Sequence, residues 1–371
     1  DRSGGESILP FCYGGSNGYL SQDTTDALLF HRLGASRLAR TVCAAPTGRA
    51  AMGLYGKMEG VAITDYPAAR LVVVWGANPA ASGIHLVPPI QAACEAGAKL
   101  VVVDPRATPI AKQAHLHLAI RPGTDLVVAL AVIRELFVSG RADREFLDRH
   151  ATRADELERR AAPWTLPRAA EVAGVPLADL TRFVDLYATL SPAVVRCGWG
   201  LERNRNGGSA VAAVLALPAV AGKFGVRGGG YTLSNSAAWK MNAQAISGPD
   251  APTRIINMNR LGAALTSTTQ KPVNLLFVYN SNALMTTPNQ TLVRRGLERE
   301  DLFTIVFDQV LTDTARYADL VLPATTFLEH HDLARGYGSL VLQQIAPVVA
   351  PVAQARSNYS VFADLAIRTG V

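Results

Sequence analysis

Residues 71–82 read LVVVWGANPAAS. An apolar run too short for a helix stops abruptly at Gly-Ala-Asn-Pro. Short β-branched runs without polar alternation mark strands buried on both faces, as in parallel sheets. The pattern recurs in KLVVVD (99–104), LHLAI (116–120), AVVRCG (193–198), NLLFVY (274–279), FTIVFD (303–308) and DLVLP (319–323). Stretches of helical length lie between them, near 84–97, 124–139, 176–189 and 209–223. Such alternation predicts an α/β protein with two doubly wound, mainly parallel-sheet (Rossmann-like) domains. The Gly- and Asn-rich segment 225–245 interrupts the series and reads as a long functional loop or a domain crossing. The expected arrangement is one domain inserted in the other. Residues 1–42 plus 229–371 form a discontinuous α/β domain, and 43–228 form the inserted one.

Composition narrows the class. The chain has 371 residues, 49% of them apolar, enough for a large core and about two domains on the usual ~150-residue prior. The net charge is +6, with Arg scattered along the chain. No basic tract of nucleic-acid type is present, and a dispersed surplus suits an anionic ligand. No unbroken apolar run reaches the ~18 residues of a membrane span. Four cysteines, Cys12, Cys43, Cys94 and Cys197, lie too far apart for a disulfide framework in a chain with this much core. The chain opens DRSGGES without Met and closes LAIRTGV in a helical turn, so both ends read as cut edges of a longer polypeptide.

In open α/β sheets, ligands bind beyond the carboxyl ends of the strands. Six strand ends share one composition: GANPAAS (76–82), DPRAT (104–108), RPGTD (121–125), GWGLERNRNGG (198–208), NSNALMTTPN (280–289) and DQVLTDTARYAD (308–319). Small residues let backbone approach a ligand. Asp104 and Asp125 can accept from ribose hydroxyls or a purine amine, and Arg106 offers a fork to phosphate. Each turn taken alone is also an ordinary cap, since Asp, Asn, Ser, Thr and Gly are the standard turn formers. Six together suggest a long ligand, or two. There is no GxGxxG and no P-loop, which counts against an ordinary nucleotide-dependent dehydrogenase.

The ordered set WGANPA (75–80), DPRATPIA (104–111), PGTD (122–125), GWGLERNRNG (198–207), YNSNAL (279–284), DQVLTDTARYADLVLPATTFLE (308–329) and GSLVLQQIAPVVAP with ARSN (338–358) resembles the molybdopterin oxidoreductase family. That family includes dimethyl sulfoxide reductases, formate dehydrogenases and nitrate reductases. The resemblance implies a bis-molybdopterin guanine dinucleotide carrying Mo or W, and two-electron oxygen-atom or hydride/proton-electron transfer on a small substrate. It implies that Gly76, Asn78, Pro79, Asp104, Arg106, Gly123, Asp125, Gly198 and Gly200 contact the cofactor from one sheet. Asn280, Asn282, Asp308, Thr312 and Thr314 would do so from the other. An electron-transfer partner protein is implied. A [4Fe-4S] cluster is expected only in an N-terminal part outside this chain, and the closing C-terminal dinucleotide-binding domain is absent too. This fragment is therefore expected to be inactive alone. The implied compartment is cytoplasmic, with a periplasmic one open. The rival reading is a cofactor-free structural subunit of the NADH–quinone oxidoreductase large-subunit type.

RTVCAAPTGRAAMG (40–53) resembles the segment that supplies the protein ligand to the metal, which makes Cys43 the candidate ligand and catalytic residue. Thiolate is a soft ligand suited to such a centre. Read by its residues alone, Cys43 is equally a buried thiol. Cys12, Cys94 and Cys197 read as core. Formate dehydrogenases of the family carry His after the ligand, where this chain has Ala44. They also carry Arg after the glycines, where YTLSNSAAW (231–239) has no basic residue until Lys240. Both departures argue against formate oxidation. Glu329, His330, His331 and Asp332 are adjacent residues that point apart and read as a solvated or pterin-adjacent loop, not a metal cluster. His115 and His117 share a strand face and read as structural. The charged run 141–160 reads as a helical solvent face.

Overall fold

The apolar runs become strands in the computed structural model, which describes residues 3–15, 18–238, 242–248, 252–267 and 271–371. In chain order these are β1 (Ile8–Cys12), β2 (Arg37–Ala39), β3 (Leu71–Trp75), β4 (Lys99–Val103), β5 (Leu116–Leu118), β6 (Ala193–Cys197) and β7 (Gly230–Thr232). They continue with β8 (Ile255–Asn257), β9 (Leu275–Tyr279), β10 (Phe303–Asp308), β11 (Leu320–Pro323), β12 (Asp332–Arg335) and β13 (Leu342–Ile345). The chain divides into two compact units. One gathers the described residues up to Cys43, those after Ala238 as far as Arg335, and Val341–Val371; the other holds Ala44–Ala238 and Gly336–Leu340.

In the second unit the sheet order is β5-β4-β3-β6-β7, every pairing parallel. Alternate side chains enter two cores. Leu71, Val73, Trp75, Val101 and Val103 pack against the helices Asp125–Val138 and Gly207–Val220. Val72, Val74, Leu100, Val102 and Val194 face Ile90 and Ala93 of the helix Val87–Glu95. Burial on both faces explains why these strands carry no polar alternation. Full burial of each large side chain contributes roughly 1.5–3 kcal/mol. The charged run folds as two helices, Arg144–His150 and Ala154–Ala161, with exposed pairs Arg149–Glu145 and Arg160–Glu156, both 2.6 Å.

In the first unit a parallel sheet runs in the order β1-β9-β10-β11. One face packs Leu9, Phe11, Leu276, Val278 and Val306 against Leu261, Leu265 and Val293. The other packs Phe277, Tyr279 and Phe307 against Phe30, Val361 and Phe362. Strand β1 has no counterpart among the predicted strands, because Pro10 interrupts the run. Pro lacks a donor, and β1 stands at the sheet edge, where that loss is tolerated. A two-stranded parallel ladder, β2 with β8, and an antiparallel pair, β12 with β13, complete the unit.

The segment expected as a loop at 225–245 is in part a strand. β7 pairs with β6, and Tyr231 and Leu233 are buried in the core. Asn235 is fully buried: it accepts from the Gly60 N–H at 3.1 Å and donates to the Val61 carbonyl at 3.2 Å. The second unit accordingly extends past the boundary expected at 228.

Strand order reverses between β3 and β6, and there the two strand tips touch backbone to backbone. Gly76 adopts φ +60°. The Gly198 N–H donates to the Trp75 carbonyl at 2.8 Å, and the Gly200 N–H to the Gly76 carbonyl at 3.0 Å. A Cβ on Gly198 would lie 2.2 Å from Gly76 O and 2.6 Å from Ala77 Cβ. Gly198→Ala must therefore displace backbone. It is expected to destabilise the chain by about 1–3 kcal/mol, read as a lower urea midpoint; an unchanged midpoint would contradict the packing.

Candidate functional site

The reversal at β3 and β6 opens the crevice in which α/β sheets bind ligands. Residue 76 turns the chain out of β3, and Asn78 stands at the N-cap of the short helix Pro79–Ser82, with Pro79 buried at its start. The Asn78 side chain does not cap that helix. Its Oδ1 is buried and has no hydrogen-bond partner among the described residues. A buried acceptor left unmet costs about 1–3 kcal/mol, so this oxygen needs a donor from elsewhere. Gly76, Gly198 and Gly200 let the two strand tips beside it pack backbone to backbone.

The neighbouring tips are mostly self-satisfied. Asp104 Oδ1 accepts the Arg106 N–H at 2.8 Å, closing an Asx turn that leaves the Arg106 side chain exposed. The Asp104 carbonyl pairs with His117 Nε2 at 2.9 Å, and His115 Nδ1 accepts the Leu100 N–H at 3.1 Å, so both histidines act structurally. Asn206 Nδ2 donates to the Gly123 carbonyl at 3.0 Å. Asp125 is buried, and its Oδ1 accepts the Trp75 indole N–H at 2.8 Å, tying the first turn of the helix Asp125–Val138 to the central strand. Burial raises the Asp125 carboxyl pKa above its ordinary value, against the opposing pull of Trp75.

The first unit brings together the tips of β9 and β10. Asn282 Oδ1 accepts both the N–H and the hydroxyl of Thr314, the latter at 2.7 Å, and the Thr314 hydroxyl oxygen accepts the Leu284 N–H at 3.0 Å. Thr312 Oγ1 accepts the Ala315 N–H at 3.2 Å. Asn280 takes a left-handed φ of +53° and donates to the Ser21 carbonyl at 3.0 Å. These side chains shape the tips by bonding to one another. Asp308 is half-buried, and its pKa is raised by desolvation although the N–H groups of Gln309 and Val310 oppose the rise.

Cys43 is half-buried, and its backbone N–H donates to the Tyr13 hydroxyl at 2.6 Å. It precedes the helix Ala45–Tyr55, whose N-cap, Ala44, supplies no side-chain bond. The missing cap comes from afar. Glu202 Oε2 accepts the Thr47 N–H at 3.0 Å and the Thr47 hydroxyl at 2.8 Å, across 155 residues. Glu202 was not among the residues expected to function. It lies within the strand end 198–208, and its side chain is wholly buried. Cys12 and Cys197 are buried, Cys94 partly so, and no disulfide forms among the described residues.

Residues 23–368 match the family described as Molybdopterin oxidoreductase. The chain belongs to the molybdopterin oxidoreductase family. Among its relatives, a probable oxidoreductase of Bacillus subtilis (strain 168), YoaE, is 34% identical over 374 residues, covering 100% of this chain and 55% of the relative. A second from that organism, YyaE, is 29% identical over 322 residues, covering 85% of this chain and 48% of the relative. The chain thus spans about half the length of these curated relatives. The solved acetylene hydratase from Pelobacter acetylenicus shares the fold, with a TM-score of 0.83 at 24% identity over all of this chain and 56% of that one.

The crevice fits a molybdopterin-type cofactor. The strand tips around it offer glycine backbone, the exposed Arg106 after β4 and, in Asn78, a buried acceptor awaiting a donor. The acidic and histidine run is different in kind. His330 Nδ1 pairs with the Thr325 hydroxyl at 2.9 Å, and Glu329 accepts from Thr326 and Val352. Of the loop expected to be solvated or pterin-adjacent, His331 is exposed while Glu329 and His330 are buried, and no three-ligand metal cluster forms among the described residues. Trp239 and Lys240 lie outside the described residues. No described helix is long and apolar enough to cross a membrane.

The Asp125 carboxyl binds its proton more tightly folded than unfolded. Between the ordinary carboxyl pKa and the raised one, the unfolded chain holds fewer protons, so stability falls as pH rises through that window. Asp125→Asn is expected to raise the melting temperature at pH 7, with the gain vanishing below about pH 4. A gain independent of pH would refute the assignment.

Proposed function

We propose that the polypeptide containing this chain is a molybdenum- or tungsten-dependent oxidoreductase that binds a bis-molybdopterin guanine dinucleotide and acts on a small substrate. When bound, that group supplies two-electron oxygen-atom or hydride/proton-electron transfer at its metal. The protein's part is binding and orientation. Asn78 supplies an acceptor to one guanine nucleotide, and Arg106 neutralises phosphate at the rim of the same crevice. Gly76, Pro79, Gly123, Gly198 and Gly200 keep the backbone low enough for close approach, while Asp104 and Asp125 fix the turns. Asn280, Asn282, Asp308, Thr312 and Thr314 form the counterpart for the second nucleotide. Cys43 provides a thiolate to the metal. An electron-transfer partner protein and an iron–sulfur cluster held outside this chain would supply or accept the electrons.

The single observation carrying this reading is the buried, unmet Asn78 oxygen at the strand-order reversal of a family member. A cofactor-free scaffold has no use for that oxygen, and an apolar residue there would remove its cost. In the full-length protein, Asn78→Leu is expected to lower the guanine nucleotide released per chain at least several-fold while the melting temperature holds or rises. Unchanged nucleotide content would sink the reading.

Cys43→Ala in the full-length protein is expected to cut turnover by on the order of 100-fold or more, since even partners one bond removed from a metal cost 10–100-fold. Guanine nucleotide content should stay near that of the unaltered protein. Unchanged turnover would mean another residue is the ligand.

A further inference from the structure

We infer that Glu202 is a positioning residue for the Cys43 thiolate, an inference that rests on Cys43 being the metal ligand. Three observations converge. The helix Ala45–Tyr55 starts two residues after Cys43, yet Ala44 at its N-cap offers no side-chain acceptor. The acceptor is Glu202, whose Oε2 holds both the N–H and the hydroxyl of Thr47. Thr47 is fully buried, and so is the Glu202 side chain, so water cannot substitute for either partner.

A carboxylate is expensive to bury unless its charge is met. Here the positive end of the helix meets it, as does the Arg203 guanidinium, whose Nη2 lies 3.5 Å from Oε1. Oε1 has no hydrogen bond of its own. An ordinary N-cap would have solved the local problem with Ser, Thr or Asp at position 44. That solution puts a second oxygen acceptor directly beside the sulfur. Capping from position 202 leaves residue 44 apolar and fixes the same turn. Glu202 also lies in the loop after β6, beside the strand-order reversal: a Cβ on Gly207 would meet Glu202 Cα at 2.3 Å. The cap is therefore referenced to the rigid end of the sheet, and helix fraying cannot move it.

The test uses full-length protein carrying Glu202→Ala, Glu202→Gln, Thr47→Val or Cys43→Ala. In cofactor-free samples, amide hydrogen exchange at Thr47 and Gly48 is expected to quicken at least tenfold in Glu202→Ala. In Glu202→Gln, whose amide oxygen still accepts from Thr47, it should remain near the original rate. In loaded samples, the paramagnetic resonance spectrum of the one-electron-reduced metal and the metal–sulfur distance from X-ray absorption should shift in Glu202→Ala toward Cys43→Ala. Glu202→Gln should rescue them, and guanine nucleotide content should be unchanged. If Cys43→Ala alters the metal spectrum and Glu202→Ala does not, Glu202 is merely structural and the inference fails while the ligand reading stands. If Cys43→Ala leaves the spectrum unchanged, both fail. Should Glu202→Ala not fold, Thr47→Val decides: a partial spectral shift supports the inference, and none overturns it.

Discussion

Two strand tips occupy one space because three residues there lack side chains. Gly76, Gly198 and Gly200 press backbone on backbone where β3 and β6 meet, with the Gly200 N–H on the Gly76 carbonyl. Much of the second unit's chemistry follows from that contact. It lets β3 and β6 leave the sheet in parallel and part company at once, which opens the crevice. It sets Asn78 two residues beyond the turn. It leaves Trp75, the last residue of β3, to turn its ring into the helical face and meet Asp125. Side chains at these three positions would collide with Leu201 and with the Gly76 backbone and force the tips apart.

The polar residues at the strand tips then separate by whether the protein already satisfies them. Buried polar groups in native proteins are nearly always paired. Asn282 with Thr314, Asp104 with the Arg106 N–H, and Asn206 with the Gly123 carbonyl are spent on the shape of the turns. Their contribution to a ligand is geometry. Asn78 Oδ1, like Glu202 Oε1, has no hydrogen bond among the described residues, but Glu202 meets a helix start through its other oxygen and has the Arg203 guanidinium beside it, whereas the Asn78 side chain makes no cap bond. Binding energy comes from groups that a ligand completes, so an orphaned oxygen says more than a well-capped turn.

How much of this was legible in sequence depends on the range of the interaction that decides it. The central strands were plain, because residues buried on both faces must be apolar without interruption, as Val72 to Val74 are. Two edge strands, β1 and β7, were not, although β5 and β11 at the opposite edges were. β1 tolerates Pro10 only because no strand lies on its far side, and β7 hides in a glycine-rich segment whose pairing with β6 is a tertiary fact. The tips were legible as a class, since turn residues announce themselves, but which were spent and which were open was not. His330 reads as solvated among charged neighbours and is buried against Thr325. Glu202 lies at the same limit: its meaning comes from a residue 155 positions away.

That limit bears on how a ligand segment is held. A thiolate can serve a metal only if its sulfur returns to one place, and a half-buried residue on a connecting segment has no such guarantee from local structure. Here each unit holds its own side of the segment by a long-range bond. The Cys43 N–H is fixed by the Tyr13 hydroxyl, and four residues on, Thr47 is fixed by Glu202. Neither bond involves the sulfur, and neither anchor is near Cys43 in sequence. Within the first turn of the helix that follows, Pro46 fixes its own φ. The order of this segment is therefore supplied by distant side chains. That leaves residue 44 free of any capping duty and able to stay small and apolar beside the thiol.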